Sequence, residues 1–297
     1  RAYCPFPLSG PSRASLITGR MPVEIGAYDN DVRPSEEAMM SSLGHRVSDA
    51  GYESLYAGKW HVTEVDLPDE GTGFERIAPM NDPDLVNNCR ARLLAPREKP
   101  LFLVASFLDP HEICEYARRG TMPYGQIEQP SVADCPNLPA NFMLSTYQPE
   151  AVELHRKAVP KFHPTYNYTQ DDWRLYLYTY YRLVERVDIQ IGRLTALLKE
   201  AGLYDNSVII FFSDHGDGVA AHMWNQKWIL TEEVVGVPLI VKAPKGKGLA
   251  GVRNDKALSN VGLDVFLTVC DYAGVQLDKD KYRGISLRKT VEKRDAA

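Results

Sequence analysis

The sequence predicts an α/β layered fold. Helical and strand signals alternate along it, the pattern of sheets covered by helices. Two runs, residues 101–107 and 207–213, are apolar at strand length, as strands buried on both faces are. Each delivers a polar triplet at its C-terminal end, Asp109-Pro110-His111 and Asp214-His215-Gly216. Open α/β sheets bind their ligands along that edge.

The elements follow in order. Pro11 opens a helix-compatible run, and Pro is favoured at the first helical position. That sets Ser9 and Gly10 at a helix N-terminus, where free N–H groups and the macrodipole favour an anion. Arg13, one turn in, offers a planar charged fork to an oxyanion. An ordinary helix start with a surface Arg has the same local pattern. Residues 36–50 read as one helix stopped by Gly51. A short strand at 54–57 leads into Gly58-Lys59-Trp60-His61, and the strand at 101–107 follows. Residues 112–171 are rich in Pro and Tyr and lose periodicity, which predicts a lid or binding loop. Residues 173–202 predict a long helix with Leu183, Val187, Ile191, Leu194 and Leu198 as its apolar stripe. Asp205-Asn206 makes the turn into the strand at 207–213. A strand at 237–241 and a helix at 262–273 complete the pattern.

Composition narrows the partners. The 297 residues are 44% hydrophobic and 25% charged, ordinary for a globular protein of one large or two smaller domains. A net charge of −5 gives no general basic footprint for nucleic acid. No apolar run approaches the roughly 20 residues of a membrane span. The five cysteines are odd in number, widely spaced and without zinc spacing; one or two disulfides remain open.

Ser9-Gly10-Pro11-Ser12-Arg13, followed by Thr18-Gly19-Arg20, resembles the signature of the type I sulfatases. Gly58-Lys59-Trp60-His61, Asp109-Pro110-His111, Ser213-Asp214-His215-Gly216 and Trp224-Asn225-Gln226-Lys227 are similar to that family's further motifs, in family order. The resemblance spans residues 2–287. It implies an alkaline phosphatase-like α/β/α sandwich with a mixed, mostly parallel central sheet. It implies hydrolysis of a sulfate ester, preferably on a carbohydrate, by a formylglycine made from residue 9. Lys59 and Lys227 would bind sulfate, His111 would meet the bridging oxygen, and His61 would contact the formylglycine. Asp214, His215 and Ser9 would hold a divalent metal, Ca²⁺ before Mg²⁺. Partners would be a sulfated small molecule or glycan and a maturation enzyme. The resemblance implies periplasmic or secreted placement if the source is bacterial, and lysosomal or secreted placement if it is animal.

The family pattern also has a strand ending in an Asp-Asp pair before the Ser9 motif and a smaller C-terminal subdomain. The expectation is therefore that residues 1–297 are the central part of one catalytic domain, with 112–171 a substrate-recognition insertion. Its tyrosines Tyr116, Tyr124, Tyr147, Tyr166 and Tyr168 could stack on sugars or pack the loop. Ser in place of Cys at position 9 leaves two readings open, a Ser-type sulfatase or an inactive replacement. An unmodified Ser is a poor nucleophile, and the motifs suggest no relay to activate it. A phosphonate or phosphate monoester hydrolase of the same superfamily is the rival enzyme. A non-catalytic binder of sulfated glycans is the rival of another class.

Overall fold

The computed structural model describes residues 1–62, 70–158, 164–248 and 250–292. Residues 159–163 of the predicted insertion lie outside the described residues. The elements run β1 (Ala2–Tyr3), α1 (Ser9–Thr18), α2 (Glu36–Met40), α3 (Leu43–Asp49), β2 (Glu53–Gly58), β3 (Glu75–Ala78), α4 (Asp82–Leu94) and β4 (Leu101–Ser106). There follow α5 (Ile113–Ala117), α6 (Glu150–Ala158), α7 (Gln170–Glu200), β5 (Ile209–Phe212), α8 (Glu232–Val235), β6 (Gly236–Val237), β7 (Leu239–Lys242), β8 (Ser259–Asn260), α9 (Val261–Ala273) and α10 (Arg288–Glu292).

Strand pairing among the described residues falls into three patches, ordered β6-β1-β8, β3-β2-β4 and β5-β7. β2 is parallel to β3 and β4, and β1 to β8; β1–β6 and β5–β7 are antiparallel. The sheet is mixed and mostly parallel, as expected. One face of β2 and β4 packs on α4 and α7, through Leu85, Cys89 and Leu93 against Leu194, Leu197 and Leu198. The other face, with Tyr56, Trp60 and Phe102, meets α1, α3 and α9 through Ile17, Val47 and Phe266. Three layers result, with the apolar cores on either side of the strands.

Four expectations need correction. The helix at 36–50 is two helices, because Ser42 caps α3 by accepting from the His45 N–H while Ser41 terminates α2. The strand at 237–241 is interrupted at Pro238, which lacks the ladder N–H. The segment 112–171 is also less irregular than predicted, since it holds α5, α6 and two 3₁₀ turns. The long helix begins three residues early because Thr169 and Asp172 form a capping box. All five cysteines are buried free thiols. Among the described residues no helix is long and apolar enough to cross a membrane.

Candidate active site

Four strand-end or loop segments converge on the first turn of α1. β2 ends at Gly58, whose φ of 94° lets the chain turn across β4; a Cβ there would lie 2.0 Å from the Ser106 carbonyl oxygen. Lys59 is thereby set at the sheet edge, with its N–H on the Ser106 carbonyl at 2.9 Å. The Tyr56 hydroxyl donates to the Lys59 carbonyl at 2.6 Å, and Trp60 packs edge-on against Tyr56.

Ser9 is 1% exposed, and its Oγ lies 2.7 Å from Nε2 of His215. His215 Nδ1 lies 2.7 Å from the Gly216 carbonyl. A carbonyl only accepts, so Nδ1 carries the proton and Nε2 is the acceptor facing Ser9. The motifs grouped His215 with Ser9 at a metal but suggested no direct relay between them; the direct hydrogen bond is what the structure adds. Gly10 fits closely as well: its N–H donates to Asn30 Oδ1 at 2.9 Å, and a Cβ would meet the Asn30 Cα at 2.9 Å.

Arg13 ties three segments together. Its Nε donates to Asp214 Oδ2 at 2.7 Å, and its Nη1 to the Lys59 carbonyl at 3.1 Å and Ser106 Oγ at 2.9 Å. The Nε and Nη1 fork expected to face an oxyanion thus faces protein acceptors. Ser12 Oγ donates to the Asp214 carbonyl at 2.5 Å, a contact the motif reading did not single out.

Lys227 reaches the site on the loop after β5. Val219, Ala220, His222, Met223, Gln226 and Trp228 all have positive φ, a conformation costing of order 1 kcal/mol or more per residue. Asp217 holds this loop: Oδ1 accepts from the Tyr176 hydroxyl at 2.9 Å and the Val219 N–H at 3.0 Å, and Oδ2 from the Gln226 N–H at 3.0 Å. The Trp228 N–H donates to the Pro7 carbonyl at 3.0 Å, joining the loop to the segment before Ser9. Burial pushes the Asp217 carboxyl up, and these donors pull it back. Nothing local in the sequence marks Asp217, whose side-chain partner, Tyr176, lies on α7.

The electrostatics are those of a buried cationic pocket. Lys59 and Lys227 are each 6% exposed. Burial, then the Arg13 charge, pushes the Lys59 ammonium down to about 7. Burial followed by Lys59 and Arg13 pushes His61 down to about 4, and its Nδ1 is buried without a hydrogen-bond partner. Burial and the Lys59 and Lys227 charges hold His111 well below the usual imidazole range. Asp214 is the counter-charge: burial raises it, but Arg13, His215, Lys59 and Lys227 together hold it well below the usual carboxylate range. The structure therefore brings together every residue the motifs nominated, Ser9, Arg13, Lys59, His61, His111, Asp214, His215 and Lys227.

Among the described residues no three His, Cys, Asp or Glu side chains gather at one point. The donors present still suit a divalent cation. Asp214 is held ionised, and the Gly216 carbonyl fixes the His215 tautomer so that Nε2 faces Ser9, the usual support of a ligating imidazole. They form a partial set rather than a closed shell.

The tyrosines of 112–171 divide. Tyr116 and Tyr168 pack into the apolar cluster around Trp173 and Tyr176, and Tyr124 lies against the Arg186 guanidinium. Tyr147 and Tyr166 are 92% and 65% exposed. α6 and the turn after it border the Lys227 loop, through His155 against Trp228 and a 2.6 Å hydrogen bond from Thr165 to Asn225.

A family profile described as Sulfatase matches residues 1–275. A Delta 4,5-hexuronate-2-O-sulfatase of Bacteroides thetaiotaomicron is 29% identical over 323 aligned positions, covering 98% of this chain and 63% of its own. An N-acetylglucosamine-6-O-sulfatase of the same species is 25% identical, with the same two coverages. The chain thus spans 63% of the length of both relatives. The solved structure of a 2-O GAG sulfatase superposes with a TM-score of 0.82 at 27% identity, over 100% of this chain and 67% of that one. A phosphonate monoester hydrolase from Silicibacter pomeroyi superposes at 0.74 with 20% identity, over 100% and 70%, which shows the shared alkaline phosphatase-like fold alone.

Proposed function

The chain belongs to the sulfatase family, and from that premise we propose that it supplies the active site for hydrolysis of a sulfate ester on a carbohydrate. One observation carries the reading. Three basic side chains, the buried Lys59 and Lys227 and the part-buried Arg13, gather near Ser9 with Asp214 as their shared counter-charge. Such an excess is costly until an anion enters, and it is already in place when charge develops on the sulfate oxygens. Relatives named for hexuronate and N-acetylglucosamine sulfates support a sulfated sugar as substrate.

Ser9 is the residue we assign to oxidation by a maturation enzyme, the formylglycine then supplying the nucleophile. Asp214, His215 and residue 9 would hold the divalent cation, Ca²⁺ by preference for oxygen donors. When bound, that cation supplies Lewis acidity toward a sulfate oxygen. Lys59 and Lys227 bind and orient the sulfate. His111 is depressed by burial and by two ammonium charges, so the arrival of an anion raises its proton affinity where the leaving oxygen needs a proton. His61 accepts a proton from residue 9, for which its neutral resting state is suited. Burial of the pocket excludes bulk water from these transfers.

The test is mass spectrometry of the Ser9 peptide from native or co-expressed protein, with turnover of 2-O-sulfated hexuronate and 6-O-sulfated N-acetylglucosamine. Formylglycine at Ser9 and turnover of either sugar supports the proposal. Unmodified Ser9 with tight binding of the sulfated sugar would make the chain a glycan binder. Faster turnover of a phosphonate monoester would make it a phosphonate hydrolase.

A further inference from the structure

We infer that Arg186 of α7 is a positioning residue that aims His111 at the leaving group. The inference rests on the proposed role of His111 as proton donor. The loop between β4 and α5 carries His111 between two acidic residues, Asp109 and Glu112, whose side chains are each 1% exposed. Both pair with Arg186 of α7. Arg186 Nε donates to Asp109 Oδ2 at 2.8 Å, and its Nη2 pairs with Glu112 Oε2. Its Nη1 donates to the Tyr124 and Gly125 carbonyls at 3.0 Å each. Glu112 Oε1 accepts from the Tyr124 N–H at 2.7 Å. One planar guanidinium thus fastens both sides of residue 111, as only a forked donor set can.

The N-terminal half of the loop is fastened separately. Asp82, at the start of α4, accepts from the Leu108 N–H at 2.8 and 2.9 Å and the Asp109 N–H at 2.9 Å. The His111 N–H closes a turn on the Leu108 carbonyl at 3.1 Å. On the Glu112 side, the Tyr124 N–H and the backbone bonds into α5 share the hold with Arg186, which alone among them also grips Asp109 through its side chain. Asp109, Glu112 and Asp82 make three carboxylates against one guanidinium. Burial pushes the Asp109 carboxyl up to about 6, with Arg186 opposing the rise. Removing the guanidinium leaves buried like charges with reason to separate, and His111 sits between two of them.

A displaced proton donor costs most where the leaving group most needs a proton. The experiment uses matured, metal-loaded full-length protein and compares a sugar sulfate with 4-nitrophenyl sulfate, whose leaving group needs no proton. Arg186→Gln is expected to lower kcat on the sugar sulfate roughly 10- to 100-fold, the scale of a misplacement near 1 Å, while changing kcat on the nitrophenyl ester by less than about twofold and KM little. Arg186→Lys, which keeps charge but not the fork, should fall between and serves if the Gln variant does not fold. A readout independent of turnover is the ring ¹⁵N resonance of His111, expected to shift in the Lys variant. Equal losses on both substrates, or an unmoved His111 resonance, would overturn the inference. His111→Ala is the separating control. If it too hits both substrates equally, the proton-donor reading fails and the inference with it. If it discriminates and the Arg186 variants do not, the inference alone fails.

Discussion

Replacing Lys59 by Met should make the protein more stable and weaken its hold on an anion. The Lys59 ammonium is 6% exposed, and its proton affinity is pushed from the ordinary 10.5 to about 7 by burial and by Arg13. At about 1.4 kcal/mol per pH unit, keeping Lys59 in the empty pocket at pH 7 costs about 4 kcal/mol relative to the unfolded chain. Met fills similar volume without charge. Even if packing losses leave about 1 kcal/mol of that gain, Tm rises by about 2 °C. The sign with pH is also set. The unfolded chain binds the extra proton between pH 7 and 10.5, so wild-type stability rises through that range while the variant lacks this increment. The gap between them should shrink toward pH 10. Thermal unfolding of both proteins at pH 7 and 10, with and without sodium sulfate, reads this directly. Sulfate should raise the wild-type Tm by more than that of the Met variant, the remaining rise being the general salt effect and the weaker hold of Lys227. A Met variant less stable than wild type at pH 7, or a gap that widens with pH, would refute the reasoning.

Other outcomes follow from the same geometry. His111→Ala should lower kcat on a sugar sulfate by about 10²–10⁴-fold in steady-state assays, the usual worth of a positioned acid. His61 is pushed down to about 4, so below its ordinary 6.5 the unfolded chain takes up a proton that the folded site refuses. Stability should fall as pH drops from 6.5 toward 4, and His61→Gln should flatten that slope in urea titrations at pH 7 and 5. Tyr176→Phe deletes a donor to buried Asp217 and should cost about 1.5–3 kcal/mol in urea unfolding, with KM raised as the Lys227 loop loosens. Chelation of matured protein should abolish turnover, and Ca²⁺ should restore it.

The sheet edge was legible because its signals are local. Apolar runs ending in Lys59, His111 and Asp214 state both the strand and the side chain it delivers. The break between α2 and α3 was hidden because two serines do not disturb a 3.6-residue period. α4 was passed over because Asn87, Asn88, Arg90 and Arg92 leave only a narrow stripe of Leu85, Val86, Cys89 and Leu93. The supports of the site are illegible for a deeper reason. Arg186 meets Asp109 across 77 positions and Tyr176 meets Asp217 across 41, and only folding announces such pairs. The same holds for the Ser9–His215 contact. The resemblance grouped the two residues at one metal, but nothing in either motif says that they hydrogen-bond directly.

That contact sets a clock. Ser9 and His215 are 206 positions apart, as are, within a few residues, the Ser12 and Arg13 links to Asp214. A ribosome adding about 5–20 residues each second takes roughly 10–40 s to travel that distance. Until then the strand end that buries Ser9 does not exist, and its hydroxyl is open to any enzyme that would oxidise it. Afterwards it is 1% exposed. Under the proposed maturation, conversion of residue 9 would be a race between modification and elongation, which slower translation would tilt toward conversion.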